Sequence, residues 1–193
     1  MDFRDLVLRT RSYRRFVEAE PIEAPVLESL VDLARQTASA RNAQPLKYVL
    51  SVSREMNAEI FGCLAWAGYL KDWPGPVEGE RPSGYVVLLG DNRIAKEIDC
   101  DHGIAAQTIM LGATALGLGG CMLSNVSRAK LAPILGLGEE YRIILVLALG
   151  KPAETVLLDP LGPDGDIKYW RDEQQVHHTP KRALADIIVG KYV

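Results

Sequence analysis

From Gly103 to Ser127 the chain runs 25 residues without a formal charge. About 20 apolar residues suffice to cross the hydrocarbon core of a bilayer. This run, however, holds Gln107, Thr108, Thr114 and five glycines, and no basic cluster or belt of Trp and Tyr flanks it. With a mean hydropathy of +0.01 for the whole chain, one such run reads as a helix buried on all sides, in a core or a subunit interface. No membrane partner is expected. The opening MDFRDLVLRT has acids in its first turns and no apolar h-region, so no secretory signal is read there. Three cysteines without a CxxC fit a reducing, cytoplasmic setting. The balance of 22 basic against 25 acidic side chains gives no general pull toward nucleic acid, so a polyanion site must be a local exception.

The length, 193 residues, and the absence of a repeat or low-complexity linker predict one domain over 1–193. A short helix holds Leu6 to Leu8, and a second starts near Pro25 with Val26, Leu27, Leu30, Val31, Leu33 and Ala34 at helical spacing. Lys47 to Val52 alternates as a strand, and Ser53 is a candidate N-cap for the helix that follows. Tyr85 to Leu89 and Arg142 to Leu149 are continuous apolar runs, the pattern of strands covered on both faces. Between them the uncharged run divides into a helix, roughly Gly103 to Leu116, and a turn and strand, Gly117 to Asn125. Ser127 opens a shorter helix. Asp72 to Gly84 is a Pro/Gly loop, and the tail from Lys151 reads as an arm packed on another surface, ending in a short helix near Arg182 to Val189. The succession is that of an α+β or α/β layered fold.

The local exception in charge is RTRSYRRF. Arg9, Arg11, Arg14 and Arg15 fall within seven residues. Guanidinium forks match phosphate oxygens and Ser12 adds a hydroxyl, so this is a candidate anion site, although a solvated basic helix end has the same letters. Lys181 and Arg182 form a second basic pair. In Ser39 to Tyr48, Asn42 and Gln44 carry donors and acceptors suited to a heterocycle's edge, and Pro45 closes the helical option. Trp66, Tyr69 and Trp73 beside the Pro/Gly loop fit either a lid over a flat substrate or a packing cluster. Cys100 and Cys121 read as buried small apolar groups. His177 and His178 are adjacent and stand near no cluster with metal spacing, so no metal is assigned.

Five strings in order, Arg11 to Phe16, Ser39 to Pro45, Gly117 to Cys121, Ala148 to Pro152, and Lys181 with Arg182, resemble the FMN-dependent nitroreductase family over nearly the whole chain. The resemblance implies an α+β, nitroreductase-like fold: a mixed central sheet flanked by helices, with a C-terminal arm exchanged across a homodimer. It implies that Arg11, Ser12 and Arg14, with Lys181 and Arg182, bind FMN at its phosphate and polar end. Ser39, Ala40, Asn42 and Gln44 would line the same flavin from the other subunit. Leu123 and Ser124 would pass the flavin edge, with a backbone N–H aimed at N5. Thr10 stands where the family commonly has a second basic residue, and Leu46 where it has Trp. Lys71 is the candidate for the side chain over the flavin from mid-chain, and Trp66, Tyr69 and Trp73 for the substrate side. The implied activity is NADH or NADPH oxidation with reduction of a planar electrophile, a nitroaromatic or quinone, by ping-pong turnover. Two alternatives keep FMN: another redox reaction, such as reductive dehalogenation or dehydrogenation, and a non-catalytic flavin-binding protein.

Overall fold

A computed structural model describes residues 1–193. Its centre is a four-stranded antiparallel sheet in the order β1 (Leu46–Ser51), β2 (Gly84–Asp91), β4 (Tyr141–Gly150), β3 (Gly119–Leu123). Every residue of β2 is buried, which explains its unbroken apolar letters: alternate side chains enter different layers. Val86 and Leu88 pack with α2 (Ala24–Arg35) and α4 (Asp101–Ala115). Tyr85, Val87 and Leu89 face α3 (Arg54–Phe61), α5 (Arg128–Ile134) and the segment around Trp66. Two apolar layers on one sheet give the expected α+β architecture. Parallel pairing occurs at the edge of this sheet, in the Ser12–Gly120 bridge to β3, and in a second sheet, between β5 (Val156–Pro160) and β7 (His177–Lys181).

The uncharged run divides near the expected boundary. Gly117 takes φ +77 just beyond α4, a left-handed turn in which the N–H of Leu118 bonds the Ala113 carbonyl at 2.9 Å. Helix α4 is covered on one side by Ala105, Ala106, Ile109, Met110 and Ala113 packed into the sheet and α2. Its other side leaves Gly103 and Gln107 exposed and Thr108 and Leu111 half-buried. Burial on all sides is therefore not reached within one chain. No helix is long and apolar enough to cross a membrane.

Local rules account for several boundaries. Ser53 caps α3, its hydroxyl accepting from the Met56 N–H. Ser127 stands at the N-cap of α5 but makes no side-chain cap bond; instead its N–H donates to the Cys63 carbonyl at 2.8 Å. Cys63 and Cys121 are buried, whereas Cys100, expected inside, is exposed in the turn before α4.

Much of the tail folds onto its own chain. β5, β7 and β6 (Trp170–Arg171) form a three-stranded sheet that packs on the N-terminal arginine string of the same chain. Gly162 to Lys168 and the last stretch, with α6 (Leu184–Ile187), are exposed throughout. The reason is a set of buried polar contacts that hold Thr155 to Lys181 to their own chain.

Candidate functional site

The arginine string follows α1 (Phe3–Arg9) and runs beside β3, with the Tyr13 N–H donating to the Gly120 carbonyl at 2.8 Å. Thr10 is turned inward, its hydroxyl 2.7 Å from the Leu6 carbonyl and 3.0 Å from the Thr114 hydroxyl. Thr10 thus ties α1 to α4. Arg11 reaches the Val7 carbonyl at 2.8 Å, and Ser12 is exposed.

Arg14 is buried. Its Nη1 donates to the Ser12 carbonyl at 3.2 Å and lies 3.1 Å from Nε2 of His177, and its guanidinium covers the Tyr169 ring at 4.5 Å. Burial, then the charges of Arg14 and Arg171, push His177 down to about 4, so it is neutral near pH 7 and accepts from Arg14 through Nε2. Glu154 stands beneath: one carboxylate oxygen accepts from the backbone N–H of Arg14 and, at 3.2 Å, that of Arg15, and the other accepts from Arg171 at 2.9 Å. Arg171 covers the Trp73 ring at 4.3 Å, and the Tyr69 and Tyr169 rings lie 4.9 Å apart. Two separate sets of stacked planes, Arg14–Tyr169–Tyr69 and Arg171–Trp73, thus hold the loop to the tail.

Several donors here are buried without an acceptor: Nε of Arg11, Arg14 and Arg171, and Nδ1 of His177. At the end of β3 the bridge between Leu64 and Val126 brings the Trp66 segment alongside Leu123 to Asn125. Leu123 is buried and Ser124 exposed, and the Ser124 N–H finds no acceptor in the chain.

The Ser39 to Gln44 stretch is held by a residue that sequence reasoning missed. Asp101, buried in the first turn of α4, accepts from the Ser39 hydroxyl at 2.6 Å and the Ala40 N–H at 2.9 Å. Gln44 donates its N–H to the Ser39 hydroxyl at 2.9 Å and its side-chain amide to the Asn42 carbonyl at 3.1 Å. Arg41, Asn42 and Gln44 all have φ between +52 and +54, so the loop is held against its own preference. A cavity of about 220 Å³ opens between Ser39, Gln44, Lys47 and Asp101.

These two halves do not meet within one chain. Gln44 leads into β1 at one edge of the sheet, whereas Ser12 pairs beside β3 at the other. Three strand spacings separate those edges, roughly 14 Å. Of the remaining candidates, Lys181 and Arg182 are exposed and their side chains make no hydrogen bond or ion pair, and the same holds for Lys71. Tyr69 and Trp73 join the stacks beside Arg14 and Arg171. Trp66 does not: it is 7% exposed, packs against Phe61 and fills the space that a side chain on Gly75 would need. In this chain it lies beneath the loop, whereas Tyr69 and Trp73 lie beside the arginines.

A model of the nitroreductase family matches residues 79–151, from the turn before β2 through β4. Over that central stretch the chain is similar to the nitroreductase family. A solved nitroreductase family protein from Streptococcus pneumoniae TIGR4 covers 99% of this chain and 100% of its own at 16% identity, with a TM-score of 0.70. One from Clostridium difficile 630 covers 100% of both at 17% identity and a TM-score of 0.69. An FMN-dependent nitroreductase from Clostridium difficile R20291 covers 77% of this chain and 87% of its own at 18% identity and a TM-score of 0.65. At these identities the likeness is one of fold. The nitroreductase fold therefore extends over the tail, which the family model does not reach.

Glu154, Tyr169, Arg171 and His177 were not singled out as site residues in the sequence. Glu154 and His177 lie 140 and 163 positions from Arg14, so no spacing rule connects them. One signal was available for Asp101: a carboxylate at the charged border of the uncharged run, where a helix begins.

Proposed function

We infer that the chain is an FMN-dependent oxidoreductase that takes reducing equivalents from NADH or NADPH and delivers them to a planar electrophile such as a nitroaromatic or quinone. The observation that carries the reading is the set of buried, acceptor-free guanidinium nitrogens on Arg11 and Arg14 beside the exposed Ser12 hydroxyl. Donors left unsatisfied in a protein interior are costly, and an anionic group supplies their acceptors. The donor set therefore fits a flavin phosphate and pyrimidine edge, with Lys181 and Arg182 available to add charge. FMN, when bound, supplies hydride acceptance and release at N5.

The protein's own part is binding, orientation and field. Arg14 brings fixed positive charge to the site, and cations near the pyrimidine end favour the more negative, reduced flavin. The free N–H of Ser124 offers a donor at the end of β3, and Tyr69 and Trp73 offer flat apolar faces for a planar substrate. No side chain is assigned as a catalytic acid.

The reading includes a homodimer. Ser39, Ala40, Asn42 and Gln44 lie at the wrong edge of the sheet to join Arg14 in one chain, and the bare side of α4 is uncharged; a partner subunit that covers α4 would supply both deficits. The compartment proposed is the cytoplasm. Anaerobic mixing of the FMN-loaded protein with each nicotinamide, followed by a panel of nitro and quinone acceptors, tests the activity. Bleaching of the flavin band and reoxidation by acceptor are expected; protein that binds no FMN would overturn the reading.

A second reading keeps FMN but changes the reaction to reductive dehalogenation or dehydrogenation. It is favoured by Leu46 in place of the family's Trp and by the Trp73–Arg171 stack. Flavin bound without oxidation of NADH or NADPH in the presence of quinone or nitrofuran would select it.

A further inference from the structure

A second cavity, of about 440 Å³, lies between α3 and the segment that leads into β2. Its walls include Pro21, Val52, Phe61, Arg81, Ser83 and Tyr85. We propose that this cavity is a binding site for a small monocarboxylate with a flat apolar body, held by the Arg81 guanidinium with the Ser83 and Tyr85 hydroxyls behind it.

Arg81, Ser83 and Tyr85 all line the cavity, the first two from the bends that lead into β2 and Tyr85 from the strand itself. The Arg81 guanidinium lies over the Phe61 ring at 4.6 Å and has neither a carboxylate partner nor a side-chain hydrogen bond. Its Nε, the Ser83 hydroxyl and the Tyr85 hydroxyl are all buried without a partner. Burial raises the Tyr85 phenol well above its ordinary value, so it remains protonated and can donate. Three unpartnered donors around one cavity ask for an acceptor.

The acids nearby do not supply it. The Glu18 carboxylate accepts from the backbone N–H groups of Gly79 at 2.6 Å and Arg81 at 3.3 Å. Glu78 stands on the exposed rim, 3.9 Å from Arg54. Asn57 is already engaged, accepting from Ser51 at 2.7 Å and donating to the Ser83 carbonyl at 3.0 Å. The same two acids argue against a dianion such as phosphate, which they would repel. One unpaired cation beside apolar walls matches one carboxylate on a flat carbon body, and the volume lies in the range of small-molecule pockets.

The test titrates sodium benzoate into the full chain, with and without saturating FMN, by calorimetry and thermal denaturation. Benzamide and inorganic phosphate are the comparison ligands. The expected result is benzoate binding with a Kd on the order of 1 mM, a matching rise in Tm, and no competition with FMN. Arg81→Met is expected to weaken benzoate at least about tenfold, as loss of a charge-assisted bond requires. Tyr85→Phe is expected to weaken it about threefold while leaving the unliganded Tm equal or higher, because it removes a hydroxyl that has no partner. If Arg81→Met fails to fold, Tyr85→Phe decides alone. Benzamide binding as tightly as benzoate, displacement by phosphate or FMN, unchanged affinity in the folded variants, or no benzoate binding would each overturn the proposal. Because the titration without FMN stands by itself, a chain that binds no flavin leaves this test intact.

Discussion

At Arg14 a cation is buried with no carboxylate against its own guanidinium; the nearest, Glu154, accepts from the backbone and from Arg171 instead. The arrangement leaves the Arg14 head for a ligand while its main chain is held. Arg14→Ala is therefore expected to weaken FMN binding roughly ten- to a hundredfold, measured by flavin fluorescence titration, whereas His178→Ala leaves it unchanged. Glu154→Ala acts differently. It strips the buried Arg171 of its partner and frees two backbone donors, so a loss of about 3 kcal/mol is expected in chemical denaturation. The two histidines carry opposite pH signatures. His177 is held neutral with its pKa lowered to about 4, so the unfolded chain binds the extra proton first as pH falls. Its contribution is complete above about 6.5 and is lost toward pH 4. His178 is raised by its bonds to Asp159 and Asp172 against the opposing effect of burial. Its contribution is complete below about 6.5 and is lost as pH rises through its raised value. His177→Gln should flatten the fall of Tm between pH 6.5 and 4 relative to the parent; an identical acid limb in both proteins would contradict the assignment.

The elements themselves were largely legible. Strand β2 and strand β4 announced themselves through continuous apolar runs because both faces of the sheet are covered, and the border at Gly117 followed from the left-handed turn that glycine permits. What stayed hidden depends on partners far along the chain. Nothing in the letters around Tyr169 or His177 distinguishes them from ordinary loop residues until the tail folds onto Arg14. Trp66 and Trp73 look alike in sequence, seven positions apart, yet one fills the core and the other lies flat on Arg171. The Ser39 to Gln44 loop shows the same division. Its amides pointed to a binding role, but the carboxylate that shapes it belongs to α4. Asp101→Ala removes acceptors from Ser39 and Ala40 and exposes the strain of three left-handed residues. A loss of about 2 kcal/mol is expected in denaturation, with weakened FMN binding as the second measurement.

For the whole molecule, one side of α4 and much of α1 stay bare in the single chain, with Phe3 at 73% exposure and Leu8 at 46%. Patches of that kind mark association surfaces. Sedimentation is expected to give a dimer, and Gln107→Arg, which places a charge on the uncovered side of α4, is expected to yield monomer that binds FMN poorly. A monodisperse parent monomer would contradict the dimer and with it the completion of the site by Ser39 to Gln44.

The Glu154 clamp also bears on when the site comes into being. Its contact with Arg14 closes a loop of 140 residues, and the entropy of bringing such distant segments together is recovered only after the intervening sheet has formed. The arginine string, which precedes the tail in the chain, thus waits for β6 and β7 before it acquires its shape. Proteolytic removal of the chain beyond Lys151 should leave the four-stranded sheet and its two apolar layers standing while erasing flavin affinity. The capacity to bind would then be a late checkpoint of folding, readable as the slowest phase when refolding is followed by flavin quenching.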